Sequence, residues 1–168
     1  MKHLCRAAFT LIELMLVLAI FTLFTSLIML NLNHLNNSQI YQELSLFQAH
    51  MQSLQQQAVT QGVQKEMKFA LADNTYEWLG HSHALSKHIR FGIQHNIKGP
   101  PSNPTHTLTS PCTFADNAVI FYPDGIIRPG TVYLIDSGNR LFALSCAVSS
   151  VSFLRKYRYD GKWKLLET

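Results

Sequence analysis

The feature that most constrains this chain is a nearly unbroken apolar run close to its N-terminus. Residues 9–30 read FTLIELMLVLAIFTLFTSLIML. A bilayer-spanning helix needs about 20 predominantly apolar residues. A secretory signal has an apolar region of only about 7–15 residues, followed by a small-residue cleavage site. Here the longer run leads instead into an asparagine-rich stretch, NLNHLNN. We therefore predict a retained membrane-spanning helix over residues 9–30.

The charges beside this run predict its orientation. Lys2 and Arg6 precede it, and the first Lys or Arg after it is Lys65. Basic residues flanking a span stay on the cytoplasmic side. We therefore expect a single-pass protein of the inner membrane, with a cytoplasmic N-terminus and an extracytoplasmic C-terminal domain.

One ionisable residue, Glu13, interrupts the apolar run. A carboxylate at the centre of a membrane helix costs about 2.5–3.5 kcal/mol on insertion scales and usually has a partner. One interpretation places Glu13 near the cytoplasmic interface, where it reaches water or Arg6. The other is that it pairs with a positive charge on another chain.

The string AFTLIELM, from Ala8 to Met15, resembles the class III signal of type IV prepilins and type II secretion pseudopilins. The resemblance implies that prepilin peptidase removes the basic leader 1–8 by cutting between Ala8 and Phe9, and then methylates the new amino group of Phe9. Where the family usually has Gly before the cut, this chain has Ala8. The absence of proline before Pro100 favours a minor subunit or pseudopilin.

The same resemblance gives Glu13 a role in assembly, as the fifth residue of the mature chain. The amino group of Phe9 would be buried among packed helices, and a buried ammonium needs a counter-charge. Glu13 of a neighbouring subunit would supply it. The implied partners are prepilin peptidase, other pilins or pseudopilins through the N-terminal helix, and the lipid bilayer before assembly into a filament.

The residue pattern of segment 31–62 predicts an amphipathic helix that continues into the globular domain. Its asparagine-rich beginning either stretches within a filament or marks the exit from the membrane. Beyond it, apolar residues recur at alternating spacings of four and three, which favours a helix face packed on its own domain over a coiled coil. Gly62 is expected to end the helix. The apolar positions are Ile40, Leu44, Phe47, Met51, Leu54 and Ala58.

Residues 63–168 predict an extracytoplasmic, β-rich domain. The turn signals Asp73-Asn74, 137–139 and Asp160-Gly161 each join two strand-like segments into a hairpin. The proline-rich segment 99–112 is expected to be a loop with no packed core of its own. The predicted class is α+β and pilin-like, with a long N-terminal helix packed on an antiparallel sheet. The expected strands are 65–72, 75–79, 89–93, 118–122, 131–136, 140–147, 151–159 and 162–166.

A second resemblance concerns residues 119–125 and 129–134. A strand that ends in Pro123-Asp124-Gly125 and is followed by a further strand is similar to the globular half of the H-type minor pseudopilins and FimT-like minor pilins. These relatives often finish with a short Gly-Arg motif. The nearest match here is the segment 161–164, which has lysines in place of arginine.

The sequence offers no catalytic set, because neither a nucleophile elbow nor a phosphate-binding loop is present. We therefore predict a protein that is not an enzyme and has no cofactor or metal. His81 and His83 would share a face of a strand, as metal ligands can, but a polar loop or exposed edge is the favoured interpretation. Cys5 would leave with the leader, and an oxidising compartment would then allow Cys112 and Cys146 to form a disulfide or to remain buried thiols.

A basic C-terminal hairpin suggests a second function. Its cations alternate with Tyr157, Tyr159 and Trp163, a pattern suited to phosphates or a single strand of DNA. The alternative is an exposed hairpin whose charges keep a sheet edge soluble. A structural filament subunit is the leading hypothesis, a DNA-binding minor pilin of a competence pilus is the alternative, and a membrane-anchored enzyme comes third. The candidate DNA-binding residues are Arg155, Lys156, Arg158, Lys162 and Lys164.

Overall fold

The structure, a computed structural model, describes residues 10–99, 105–146 and 154–166, without the side chains of residues 27–38. It divides into two units, Met1–Ser38 and Gln39–Thr168, each described by itself below. Helix α1 spans Leu11–Gln61 and includes the asparagine-rich residues 31–37. The strands that follow are β1 Lys65–Ala70, β2 Thr75–Trp78, β3 His81–Ala84, β4 Ile89–Phe91, β5 Ala118–Phe121, β6 Gly130–Asp136, β7 Leu141–Cys146, β8 Leu154–Tyr159 and β9 Trp163–Leu166.

This arrangement confirms the predicted α+β class, but the strands form two antiparallel sheets where the sequence predicted one. The first sheet has the order β3-β2-β1-β5, and the second has the order β4-β6-β7-β8-β9. Strand β5 pairs with β1 of the first sheet, and β4 pairs with β6 of the second. These pairings join segments far apart in the chain, which local turn signals do not specify.

The predicted hairpins form at all three turn signals. β1 pairs with β2, β6 with β7 and β8 with β9. Strand β3 is an addition, since His81 and His83 lie on an edge strand of the first sheet. The expected first residues of the 151–159 strand, 151–153, lie outside the described residues, as do 100–104 of the proline-rich loop.

One face of α1 forms the main core of the unit Gln39–Thr168. The six apolar residues at the predicted spacing are all fully buried, at 0% exposure. They pack with residues of both sheets, among them Met67, Tyr76, Phe121 and Phe142. We call this cluster the inner core. It confirms that the helix face packs on its own domain, with hydrophobic burial as the driving force.

A second cluster lies on the opposite face of the second sheet. Tyr133, Ile135, Leu141 and Ala143 are buried there with Ile97, and we call this cluster the outer core. Because both cores lie on the same two strands, every residue of β7 and nearly every residue of β6 is buried.

The proline-rich segment, predicted as a loop with no packed core of its own, contributes one residue to the outer core. Leu108 packs against the cluster. Its amide donates to the carbonyl of Ile97 at 2.9 Å, beside a bridge between Lys98 and Thr107. Prolines prevent a regular strand here. The backbone that enters the loop and the backbone that leaves it still form hydrogen bonds with each other.

Two glycines are required by the backbone. Gly62 follows the last residue of α1 with φ +64°, the left-handed conformation in which glycine ends helices, as predicted. Gly130, at the beginning of β6, lies directly under the ring of Phe114, where an added Cβ would overlap the ring atoms.

Candidate functional site

The beginning of α1 is a capping box formed by Thr10 and Glu13. The Thr10 amide and hydroxyl both donate to Oε2 of Glu13 at 3.0 Å, and the Glu13 amide donates to Oγ1 of Thr10 at 3.3 Å. Such reciprocal bonds satisfy amides that have no partner inside the helix. The pattern T-x-x-E at residues 10–13 is the sequence signature of this box, and it is easily missed inside a nearly unbroken apolar run.

The apolar side chains that follow are all exposed in the described part of the unit Met1–Ser38. Exposed fractions range from 46% for Val17 to 76% for Leu11. An exposed apolar surface of this extent is typical of a segment that contacts lipid or other helices.

The processing residues Ala8 and Phe9 lie outside the described residues, as does Arg6. The described side chains of the predicted span 9–30 end at Ser26. Within the described parts of the chain, no helical segment is both long enough and apolar enough to span a membrane.

The structure does not bring the five cations of the basic hairpin to one surface. Lys156 and Arg158 share one face of β8, and Arg158 pairs across the hairpin with Lys164 of β9. Arg155 lies on the opposite face, and Lys162 is exposed between the strands.

Two of these cations have partners inside the chain. The Lys164 ammonium lies 2.7 Å from Oδ2 of Asp160, and this hydrogen bond and charge lower the pKa of the Asp160 carboxyl. Arg158 donates from Nη1 to the hydroxyl of Tyr41 on α1 at 3.4 Å. Its Nε is buried and has no hydrogen-bond partner among the described residues.

The aromatic residues of the hairpin are half-buried against the outer core. Tyr157, Tyr159 and Trp163 pack against its buried residues. The indole of Trp163 also donates to the carbonyl of Lys98 at 3.0 Å. The sequence pattern suggested stacking surfaces for bases, whereas these rings cover the second sheet.

Of the two outcomes that the sequence left open for Cys112 and Cys146, the structure has buried thiols and no disulfide between them. Cys112 and Cys146 are both buried thiols in the structure. Cys112 bridges to Val132 on one side of β6, and Cys146 pairs with Gly130 on the other. Two interstrand spacings alone separate their backbones by about 9–10 Å, and the two-residue offset along β6 adds to this distance. A disulfide needs Cα atoms about 4.4–6.8 Å apart.

A polar cluster that the sequence did not predict lies between α1 and the first sheet. Glu43, a residue of α1 that is 7% exposed, accepts from Nε2 of His83 at 2.9 Å. His50 lies about two helical turns beyond Glu43 on α1. Its Nδ1 is 3.0 Å from the hydroxyl of Tyr76. Its ring stacks on Trp78 with centroids 4.1 Å apart. We call Glu43, His50, Tyr76, Trp78 and His83 the histidine cluster.

The histidine cluster does not have the form of a metal centre. Among the residues that the structure describes, no three His, Cys, Asp or Glu side chains are grouped so as to hold a metal ion. Burial and the neighbouring His83 lower the pKa of His50, and the charge of Glu43 opposes this effect.

The comparison with known families identifies the N-terminal segment. Residues 4–29 match the model described as the prokaryotic N-terminal methylation motif. This confirms the predicted type IV prepilin-like signal, which supports a pilin or pseudopilin processed by prepilin peptidase. No curated protein and no solved structure matches the chain.

Proposed function

We propose that this chain is a minor pilin or pseudopilin, a structural subunit of a type II secretion pseudopilus or a type IV pilus. The methylation motif at residues 4–29 carries the proposal. The exposed apolar surface of α1 supports it, because that surface requires a lipid or helical environment. A filament subunit needs no catalytic residues.

Before assembly, the segment 9–30 anchors the subunit in the inner membrane. Lys2 and Arg6 hold the N-terminus in the cytoplasm, and the β-rich residues 63–168 are extracytoplasmic. Prepilin peptidase cuts between Ala8 and Phe9 and methylates Phe9. The asparagine-rich stretch then leads from the apolar helix into the globular unit.

On assembly, Glu13 pairs with the methylated amino group of a neighbouring subunit. The carboxylate is available at the beginning of α1, held there by Thr10. A second hydrogen-bonded charge on the same carboxylate is chemically compatible, because an ionised carboxylate accepts several bonds.

Within this class, an H-type pseudopilin or FimT-like minor pilin is the proposed type. Strand β5 leads into the turn at Pro123, Asp124 and Gly125, and β6 follows. The turn is fixed to α1, since Nε2 of Gln55 donates to the carbonyl of Gly125 at 2.7 Å.

N-terminal mass spectrometry tests the proposal. In cells with prepilin peptidase, the first peptide of the membrane or filament protein should begin with N-methyl-phenylalanine at Phe9. Cells that lack the peptidase are the control and should keep the leader. Assembled protein that still begins at Met1 would refute the assignment.

DNA is the second candidate partner, as in a competence pilus. The observation in its favour is that Lys156, Arg158 and Lys164 share one face of the β8–β9 hairpin. Because the aromatic rings pack in the outer core, contact would be to phosphates and independent of base sequence.

Binding measured by fluorescence anisotropy tests this candidate with the full chain in detergent. Affinity should fall steeply as salt rises, and joint replacement of Lys156 and Arg158 by Ala should reduce the salt slope by about 2. Lys68→Ala, on the first sheet, is the matched control. Loss of binding in Arg155→Ala alone would place the contact on the opposite face, and no binding at low salt would exclude DNA.

A further inference from the structure

We propose that Glu43, His50 and His83 form a pH-sensitive latch between α1 and the edge strand β3, closed while His50 is neutral and released when His50 becomes charged. The proposal rests on the geometry of the histidine cluster. It is independent of filament assembly and of DNA binding.

The latch connects α1 to β3, the edge strand of the first sheet. In the described chain, β3 has β2 as its one strand neighbour. It is also attached to α1 by the hydrogen bond from His83 to the buried carboxylate of Glu43 at 2.9 Å. The amide of Ser86, just beyond β3, lies 3.4 Å from the same oxygen. Glu43 therefore holds both the strand and the chain that leaves it.

His50 is arranged to be neutral when the latch is closed. Tyr76 is fully buried, and burial raises the pKa of its phenol well above the usual range, so that it keeps its proton. We assign the 3.0 Å contact as donation from this hydroxyl to Nδ1 of His50. A charged His50 would carry a proton on Nδ1 as well, and the phenol proton would need another acceptor in a buried place.

The groups nearby would also compensate a charge on His50 poorly. The rings of His50 and His83 have centroids 6.2 Å apart, and Glu43 is the carboxylate that pairs with His83. The other titratable groups facing the cluster are Tyr76 and the exposed His81, whose ring lies 5.8 Å from Trp78. Among the described residues, the one carboxylate near His50 therefore already accepts a hydrogen bond from His83.

The direction of the pH effect follows from the lowered pKa of His50. The stabilising contribution of neutral His50 is complete above the ordinary value of 6.5 and is lost as the pH falls through the lower folded value. Acidification should therefore loosen β3 and uncover the edge of β2, whose backbone groups could then pair with another strand.

Hydrogen exchange of the full chain in detergent tests the latch at about pH 7.5 and about pH 5.5, on either side of the titration range of histidine. After correction for intrinsic exchange rates, the protection of β3 should fall several-fold at the lower pH, because the lowered pKa of His50 removes stability there. Strand β7, buried between two cores, is the internal reference and should not change. Equal protection of β3 at both pH values would overturn the proposal.

Three variants identify the titrating group. His50→Gln keeps an oxygen that accepts from Tyr76 but cannot become charged, so the acid-induced loss should disappear. The control variant His81→Gln removes an exposed histidine of β3 and should behave like the unmodified chain. An acid-induced loss that persists in His50→Gln excludes the latch. If that variant also loosens β7, Glu43→Ala decides, because it removes the oxygen that accepts from His83. Strand β3 should then be poorly protected already at about pH 7.5, and unchanged protection excludes the latch.

Discussion

The carboxylate of Glu13 has partners inside its own chain before any second subunit arrives. The amide and hydroxyl of Thr10 both donate to it. The family resemblance assigns Glu13 to contact between subunits, whereas the capping box gives it a role within one helix. The two roles differ in what they require of Thr10, since only the capping role needs its hydroxyl.

Glu13→Ala and Thr10→Ala separate these roles. Glu13→Ala removes the charge, so we expect normal membrane insertion, with one less charge in the apolar run, and loss of incorporation into filaments. Thr10→Ala removes a helix cap worth about 1 kcal/mol and keeps the carboxylate, so incorporation should be nearly normal. Immunoblots of sheared filaments against membranes measure both, and equal loss in the two variants would show that capping is the whole role.

Cysteine labelling tests whether Cys112 and Cys146 are thiols, as they are in the structure. Burial raises the pKa of the Cys112 thiol to about 11, which leaves about one thiolate in a thousand at pH 8. We expect peptides with Cys112 and Cys146 to resist iodoacetamide in the folded protein and to be labelled after denaturation without reductant. Labelling that begins only after a reductant is added would contradict the structure.

At the scale of elements, the buried face of α1 provides the clearest test of packing. Leu44 is fully buried in the inner core, whereas Leu46 on the same helix is 39% exposed. Leu44→Ala should lower the free energy of unfolding by about 2–5 kcal/mol, because it leaves a cavity. Leu46→Ala is the matched control and should change it by less than about 0.5 kcal/mol. Urea unfolding followed by tryptophan fluorescence measures both.

Strand β6 begins at a glycine that has no room for a side chain. In Gly130→Ala the new methyl group would overlap the Phe114 ring, and the unfolding free energy should fall by about 1–3 kcal/mol. In Gly138→Ala the nearest atom is Oδ1 of Asp136 at 3.4 Å, and the change should stay under about 1 kcal/mol. Equal effects would show that Phe114 can move aside.

Elements specified by local signals were predictable, and those that depend on distant partners were not. The spacing along α1 and the turns at Asp73 and Asp160 gave correct elements, because periodicity and turn chemistry act over a few residues. Strand β3, with the sequence HSHA, has no apolar alternation and exists through its pairing with β2. The aromatic rings of the basic hairpin looked exposed because the outer core that buries them includes Ile97, far away in sequence.

At the scale of the whole unit Gln39–Thr168, burial on both faces should make β6 and β7 the most stable region. Amides there exchange with solvent only when both cores open, so we expect the slowest hydrogen exchange over Gly130–Asp136 and Leu141–Cys146. The edge strands β3 and β9 should exchange faster. Exchange in β3 as slow as in β7 at neutral pH would contradict this ranking.

The division into two sheets was the part of the fold that the sequence could not predict. Every strand but β3 was anticipated, with approximate bounds. What the segments do not encode locally is which of them pair, because the pairs β1–β5 and β4–β6 cross long stretches of chain. The same holds for the candidate sites. The signal at residues 4–29 is a continuous string and was predictable, whereas the histidine cluster is assembled from α1, β2 and β3 and was not.

The order in which the chain visits the two sheets limits how this unit can be divided. Strands β1, β2 and β3 belong to the first sheet, β4 to the second, β5 to the first again and β6 to the second. No single cut between residues therefore yields one fragment with a complete first sheet and another with a complete second sheet. Two fragments from a cut between β4 and β5 would each lack strands that the other holds, and they should recover the fold only when mixed. The unit can be transplanted or recombined only as one block.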